Sequence, residues 1–281
     1  MLGRVVSFMN NKGGVGKTTS AQIIGLAWAR MGRKILFIDL DSQANLTSML
    51  SVTDPLSQTW ERTIEDAFVE GDTGPGLPIM HTSNELIDYV PADLDLANFE
   101  KDTARHSFSE LLLFDLLEPL KKSYDFIIVD CPPAIQKLSY NAMIASDYLV
   151  LVSSLDGKSY KGVQMMVSVY NEVVSNKRFN PSLKIIGLLA TMYQNDKVNK
   201  YFWDLFQRDL GPILIKPYIR KSTMVNRATS FDQSIFDIDP KGRVTDDYLR
   251  VAQDLYVRIV ADMVNDGEAV VVDGEAVHVV K

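Results

Sequence analysis

A single cysteine, Cys131, stands among 281 residues. One thiol forms no internal disulfide and supports no centre that needs two thiolates from one chain, which fits the reducing cytoplasm. Long apolar runs are also missing: no stretch approaches the roughly 18 residues that cross a bilayer. The first ten residues lack the charged start, apolar stretch and cleavage site of a signal peptide. Histidine is scarce, and His81, His106 and His278 stand apart, offering neither a metal cluster nor a triad. Basic charge is in deficit, 29 Lys and Arg against 36 Asp and Glu, for a net of -7, which on its face argues against nucleic acid. With 46% hydrophobic and 23% charged residues, the remaining composition excludes disorder and collagen-like repeats.

Short apolar runs alternate with longer helical patterns. Residues 5–9, 34–39, 125–130, 148–152 and 184–189 read as strands, and their near-continuous apolar character requires burial on both faces. Helical periodicity marks 17–31, 61–69, 108–121, 163–174, 197–210 and 245–264. The pattern predicts an α/β fold, a doubly wound and mostly parallel sheet with helices on both faces. Residues 54–91 are the least regular. No repeat or long linker is visible, so one domain is expected over 1–265, followed by a 266–281 tail that reads as a β-hairpin around Asp273-Gly274. Met165, Met166, Trp203 and Phe206 lie at helical spacing and read as core or interface packing.

Between the first strand and first helix lies Asn11-Lys12-Gly13-Gly14-Val15-Gly16-Lys17-Thr18-Thr19. Glycines let backbone N–H groups turn inward around phosphate oxygens, and the helix N-terminus adds roughly half a positive charge of dipole. Lys17 would neutralise the β- and γ-phosphates and the Thr18 hydroxyl would ligate Mg2+. Asn11 stands where the standard loop has glycine. Two more strands end in carboxylates, Asp39-Leu40-Asp41 and Asp130-Cys131-Pro132-Pro133. Ligands of open parallel sheets sit beyond the strands' carboxyl ends, so both segments are expected at the phosphate edge. Asp130 fits a Mg2+-holding carboxylate, and Asp41 could orient the attacking water.

These segments, extended to Asp39-Leu40-Asp41-Ser42-Gln43-Ala44-Asn45-Leu46-Thr47 and Ile128-Val129-Asp130-Cys131-Pro132-Pro133, resemble the ParA/MinD family of deviant Walker A P-loop ATPases, and most closely its ParA branch. Weaker echoes are Val90-Pro91-Ala92, Leu189-Ala190-Thr191-Met192-Tyr193 and Asp239-Pro240-Lys241-Gly242, so the likeness spans residues 4–262. The resemblance implies a Mg-dependent ATP hydrolase that dimerises on ATP. Lys12 would reach the partner's nucleotide, much as an arginine finger does, and would repel its counterpart when ATP is absent. Catalysis would rest on Lys12, Lys17 and Asp41; the nucleotide on Lys12, Gly13, Gly14, Val15, Gly16, Lys17, Thr18, Thr19 and Pro217; the metal on Thr18 and Asp130. A ParB-like stimulating protein and a cargo such as a plasmid or chromosome are implied. Ser222-Thr223-Met224-Val225 departs from the family's pattern after Pro217, and the loop starts too early for a preceding helix-turn-helix domain.

The acidic average conceals a strong polarity. Residues 157–228 hold 12 Lys or Arg against 4 Asp or Glu, a net of +8. Lys200, Arg208, Arg220, Lys221 and Arg227, with Lys177, Arg178, Lys184, Lys197 and Lys216, could track phosphates of double-stranded DNA without reading sequence. By charge alone these could equally be scattered solvated faces; the resemblance to ParA-like proteins, whose dimer joins two such halves, implies DNA and a nucleoid-associated protein. A MinD-like membrane-cycling ATPase would need a basic amphipathic terminus, whereas the tail carries Asp266, Glu268, Asp273 and Glu275 with one lysine. An iron–sulfur reductase would need a second cysteine. A metabolic P-loop ligase would have no use for the basic segment.

Overall fold

The computed structural model describes residues 3–51, 60–101, 110–272 and 275–278. The first half runs β1 (Arg4–Met9), α1 (Lys17–Arg30), β2 (Ile35–Asp39), α2 (Asn45–Leu50), α3 (Ile64–Glu70), β3 (Met80–His81), β4 (Ile87–Val90), α4 (Leu96–Lys101), α5 (Leu112–Leu117) and β5 (Phe126–Asp130). It continues with α6 (Lys137–Ala145), β6 (Tyr148–Ser154), α7 (Gly157–Ser175), β7 (Lys184–Thr191), α8 (Lys197–Leu210), α9 (Thr223–Ser230), α10 (Ile235–Ile238) and α11 (Arg243–Asn265).

Seven strands form one sheet in the order β3-β4-β2-β5-β1-β6-β7, parallel except for β3. Alternate residues of each central strand feed opposite faces. Val6, Phe8, Phe37, Phe126 and Ile128 pack with α1 and α11, while Val5, Met9, Leu36, Ile38, Ile127 and Val129 pack on the side of α3 and α5 to α7. That two-sided burial is why these strands read as continuous apolar runs rather than alternating ones. Trp28 of α1 is fully buried and its Nε1–H donates to the Ala252 carbonyl of α11 at 2.9 Å. The outer edge of β7 is bonded by the segment 213–221, through Leu188 N–H to Ile213 O, Ile219 N–H to Ala190 O and Tyr193 N–H to Ile219 O.

Several elements depart from the periodicity. The helix expected over 108–121 is the short α5 with a 3-10 turn at Glu118–Leu120, and residues 108 and 109 lie outside the described residues. Helix α7 begins at Gly157 rather than near 163, because Asp156 caps it by accepting from the Lys158 and Ser159 N–H groups. Strands β3 and β4 and helices α2, α4, α6 and α9 were not anticipated; each is eight or nine residues at most and gives too few repeats to show a period. Beyond α11, β8 (Ala269–Val272) and β9 (Glu275–His278) pair antiparallel. Asp273 and Gly274, expected to turn between them, lie outside the described residues. Of the four residues assigned to packing, Met166 and Phe206 are buried and Trp203 rests on Tyr218, but Met165 is 51% exposed because its side chain faces Asn11 of the phosphate loop.

Candidate functional site

Strand order brings the three motifs together. β2, β5 and β1 are neighbours, with Asp39 in register with Asp130 and Asp130 with Phe8, so the three motif-bearing ends share one sheet edge. Gly14 and Gly16 take positive φ, 71° and 83°, a region closed to most side chains, and this lets the loop fold over the edge into α1. As with α2, α5, α6 and α11, no side chain caps α1. Its first amides therefore remain open to an anion. From β7, the Thr191 hydroxyl donates to the Val15 carbonyl at 2.7 Å and pins the loop from behind.

A cavity of about 720 Å3 lies over this edge, within the size range of ligand pockets. Gly13, Gly14, Gly16, Lys17, Thr18, Thr19 and Asp41 line it. The wall away from the loop is built by Met192, Ile219, Arg220, Lys221, Ser222 and Tyr248. Pro217, expected near the base, is not among the lining residues; the segment enters the wall only from Ile219. Met192 and Ala44, both beside the cavity, hold positive φ without being glycine.

Charges in the site are unevenly compensated. Lys17 is 6% exposed and donates to the Lys12 carbonyl at 3.3 Å; burial holds its ammonium below the usual lysine range, against the pull of Asp130. Asp130 is fully buried and neither carboxylate oxygen has a hydrogen-bond partner of proper geometry among the described residues. Burial first, then the neighbouring Asp39, pushes its carboxyl well above the usual range, while Thr18 and Lys17 lie near enough to oppose this. Burial likewise pushes Asp39 up to about 6, against the hydrogen bonds it accepts from Thr47 and the Asp41 N–H. A buried orphan carboxylate beside a threonine hydroxyl is a hard-oxygen donor set that a divalent cation would complete.

Lys12 is turned away from this cavity. Its Nζ donates to Asp156 Oδ2 at 2.9 Å, to Ser159 Oγ at 3.0 Å and to Ser154 Oγ at 3.4 Å. Asp156 thus neutralises Lys12 inside its own chain. Burial opposes the ionised form of Asp156, but Lys12, the Ser159 N–H and the Ser154 and Ser159 hydroxyls outweigh it and hold the carboxyl well below its usual range. Asp156 escaped the sequence reading, although its position between a strand end and a helix start is the N-cap signature.

The basic residues are not equivalent. Arg220 forms a fork on the buried Asp247 of α11, at 2.6 and 2.7 Å. Arg208 pairs with Asp209, and Lys184 with Asp262 and Asp266. Lys200, Lys221 and Arg227 are exposed and carry no ion pair among the described residues. His81 pairs with Asp88 at 2.7 Å.

Residues 3–185 match the family profile of an AAA domain. Over 265 residues the chain is 30% identical to the sporulation initiation inhibitor protein Soj of Bacillus subtilis, covering 90% of this chain and 98% of that one. Over 264 residues it is 28% identical to the chromosome partitioning protein ParA of Myxococcus xanthus, covering 92% and 89%. Among solved structures, a Cyanothece McdA–ATP complex superposes with a TM-score of 0.79 at 20% identity, covering 92% of this chain and 96% of that one. Cobyrinic acid a,c-diamide synthase of Mycobacterium smegmatis, with bound ADP and magnesium, gives 0.74 at 24%, covering 94% and 96%. At such identities the two structures share the fold.

Proposed function

The chain belongs to the ParA family of P-loop ATPases, and from that premise we propose that it is a partitioning or positioning ATPase that dimerises on ATP and binds DNA without sequence preference. The observation that carries the reading is that three adjacent strands end at one edge, where Lys17 and Asp41 line the cavity and the middle strand ends in Asp130, buried beside Thr18 and Lys17.

ATP would lie along the Gly13–Thr19 loop with its phosphates on the uncapped amides of α1 and on Lys17. Thr18 and Asp130 would hold Mg2+, which supplies neutralisation of charge on the transferring phosphoryl group. Asp41, which lines the cavity, orients the attacking water. Lys12 leaves Asp156 to complete the partner subunit's pocket, so that nucleotide and dimer form together. Lys200, Lys221 and Arg227 supply free cations for DNA phosphates, with Arg208 and Arg220 available only if their carboxylate partners release them. A ParB-like protein stimulates turnover, and the ATP-bound dimer resides on the nucleoid. The metabolic-ligase reading has the shared fold of the diamide synthase in its favour, but leaves the +8 segment without a role.

The test is binding to random duplex DNA with ATP, ADP and no nucleotide, for the wild type and Lys12→Ala. Tight, salt-sensitive binding with ATP alone, abolished in the variant, is expected. Equal binding in all three states overturns the reading.

A further inference from the structure

One hydrogen-bond chain ties the end of β4 to the loop that carries Asp41. The Ala92 N–H donates to Thr47 Oγ1 at 3.0 Å, and the Thr47 hydroxyl donates to Asp39 Oδ2 at 2.8 Å. The Thr47 N–H reaches the same Oδ2 at 2.9 Å, and the other oxygen, Oδ1, accepts the Asp41 N–H at 3.1 Å. Thr47 and Asp39 are 4% and 1% exposed, so water does not compete for these bonds. The Thr47 hydroxyl donates once and accepts once, which a methyl group in its place could not do.

Loop 40–44 needs such restraint. Ala44 sits at φ 52°, a left-handed conformation that costs a residue with a Cβ on the order of 1–2 kcal/mol. A conformation of this kind persists only where its surroundings over-determine it. Beyond the Asp39 contact, the loop is held by its own turn bonds, from Ala44 N–H to Asp41 O and Gln43 N–H to Asp41 Oδ1, and by the Leu40 N–H on the Asp130 carbonyl. Asp39 is therefore the side chain that fastens the Asp41 backbone, and Thr47 is what fixes the Asp39 carboxylate and anchors it to Ala92.

We propose that Thr47, acting through Asp39, is the positioning residue for Asp41, and that the Val90-Pro91-Ala92 segment is its anchor. The inference rests on the reading of Asp41 as the group that orients the attacking water. Thr47 touches neither nucleotide nor metal in this account; it sets where the Asp41 backbone sits.

The experiment compares wild type, Thr47→Val and Thr47→Ser in steady-state ATP turnover, in binding of a fluorescent ATP analogue, and in amide hydrogen exchange over residues 40–47. Valine keeps the shape and the backbone N–H bond to Asp39 but removes the two hydroxyl hydrogen bonds; serine restores them. Thr47→Val is expected to lower kcat by about 10- to 100-fold, as loss of an outer-shell partner does, with analogue affinity held within about twofold. Exchange of the 40–46 amides should quicken while β1 and β5 stay protected, and Thr47→Ser should recover both readouts. Wild-type turnover and exchange in Thr47→Val, or a serine variant as slow as the valine one, overturns the proposal. A wild-type chain with no ATP turnover would instead overturn the hydrolase reading, and the exchange measurement would still decide whether Thr47 orders the Asp41 loop.

Discussion

Lys12 Nζ lies 2.9 Å from the Asp156 carboxylate, so the lysine proposed to act on a partner subunit is engaged by the cap of α7 in its own chain. Both side chains are about a third or more exposed, 34% and 39%, and the ion pair itself is therefore weak. The cap is the larger contribution. Asp156→Ala should lower stability at neutral pH by ~1 kcal/mol. Because the folded carboxyl is held below its unfolded value of about 3.9, its stabilisation is present above that pH and is lost as pH falls through the folded value. Urea titrations at pH 7 and pH 3 should show the gap between wild type and variant narrowing in acid; a gap that widens in acid reverses the assigned sign.

Asp130→Asn separates stability from function. Neither carboxylate oxygen has a hydrogen-bond partner of proper geometry among the described residues, and burial and then Asp39 disfavour its ionised form, a cost that a neutral amide does not carry. The nucleotide-free variant should melt no lower than wild type. Its rise in melting temperature with Mg-ATP should shrink sharply, and chelating Mg2+ should do the same to the wild type. An undiminished Mg-ATP shift in the variant would remove Asp130 from the metal site.

Asp41→Ala should cut ATP turnover by roughly 10²- to 10⁴-fold, the span of a lost acid–base or water-orienting group. Nucleotide affinity should change little, since Asp41 borders the cavity without holding the loop 13–19 in place. A proportional loss of affinity and turnover would assign Asp41 to binding instead.

Gly25 on α1 is a packing requirement. A Cβ there would come within 2.3 Å of the Phe37 ring and 2.7 Å of Ile128 Cδ1. Gly25→Val should cost about 1–3 kcal/mol or more through overpacking, read by thermal melting followed by circular dichroism. Wild-type stability would mean that Phe37 repacks freely.

Lys200→Glu combined with Arg227→Glu should weaken ATP-dependent DNA binding and flatten its salt dependence, by roughly 0.9 in log–log slope for each phosphate no longer neutralised. Arg220→Glu is a poorer probe, because it strands the buried Asp247 and disturbs the segment that bounds the cavity. A salt slope equal to that of wild type in the double variant would place the DNA surface elsewhere.

Phosphate-loop residues were legible because the loop is contiguous: glycines, Lys17 and Thr18 lie side by side, and the apolar runs on either side announce strand and helix. The aspartates at 39, 41 and 130 were legible because parallel strands present their carboxyl ends to one edge. Pro217 was assigned by resemblance alone; it is not among the residues lining the cavity, and its segment, 213–221, is shaped by bonds to the edge of β7, which no local pattern announces. Arg220 could not be told from Lys221 or Arg227, since its partner Asp247 is 27 residues away on α11.

Local order along the chain thus determined the phosphate loop, the two-faced strands and the carboxylates at their ends, because each follows from neighbouring residues and from unbroken apolar runs. Tertiary structure alone decided that β5 lies between β2 and β1, that Lys12 rests on Asp156, and that Ala92 reaches Thr47. The last two pairings join residues 144 and 45 positions apart. Their partners are selected by which elements pack together, and no local propensity or spacing encodes that choice.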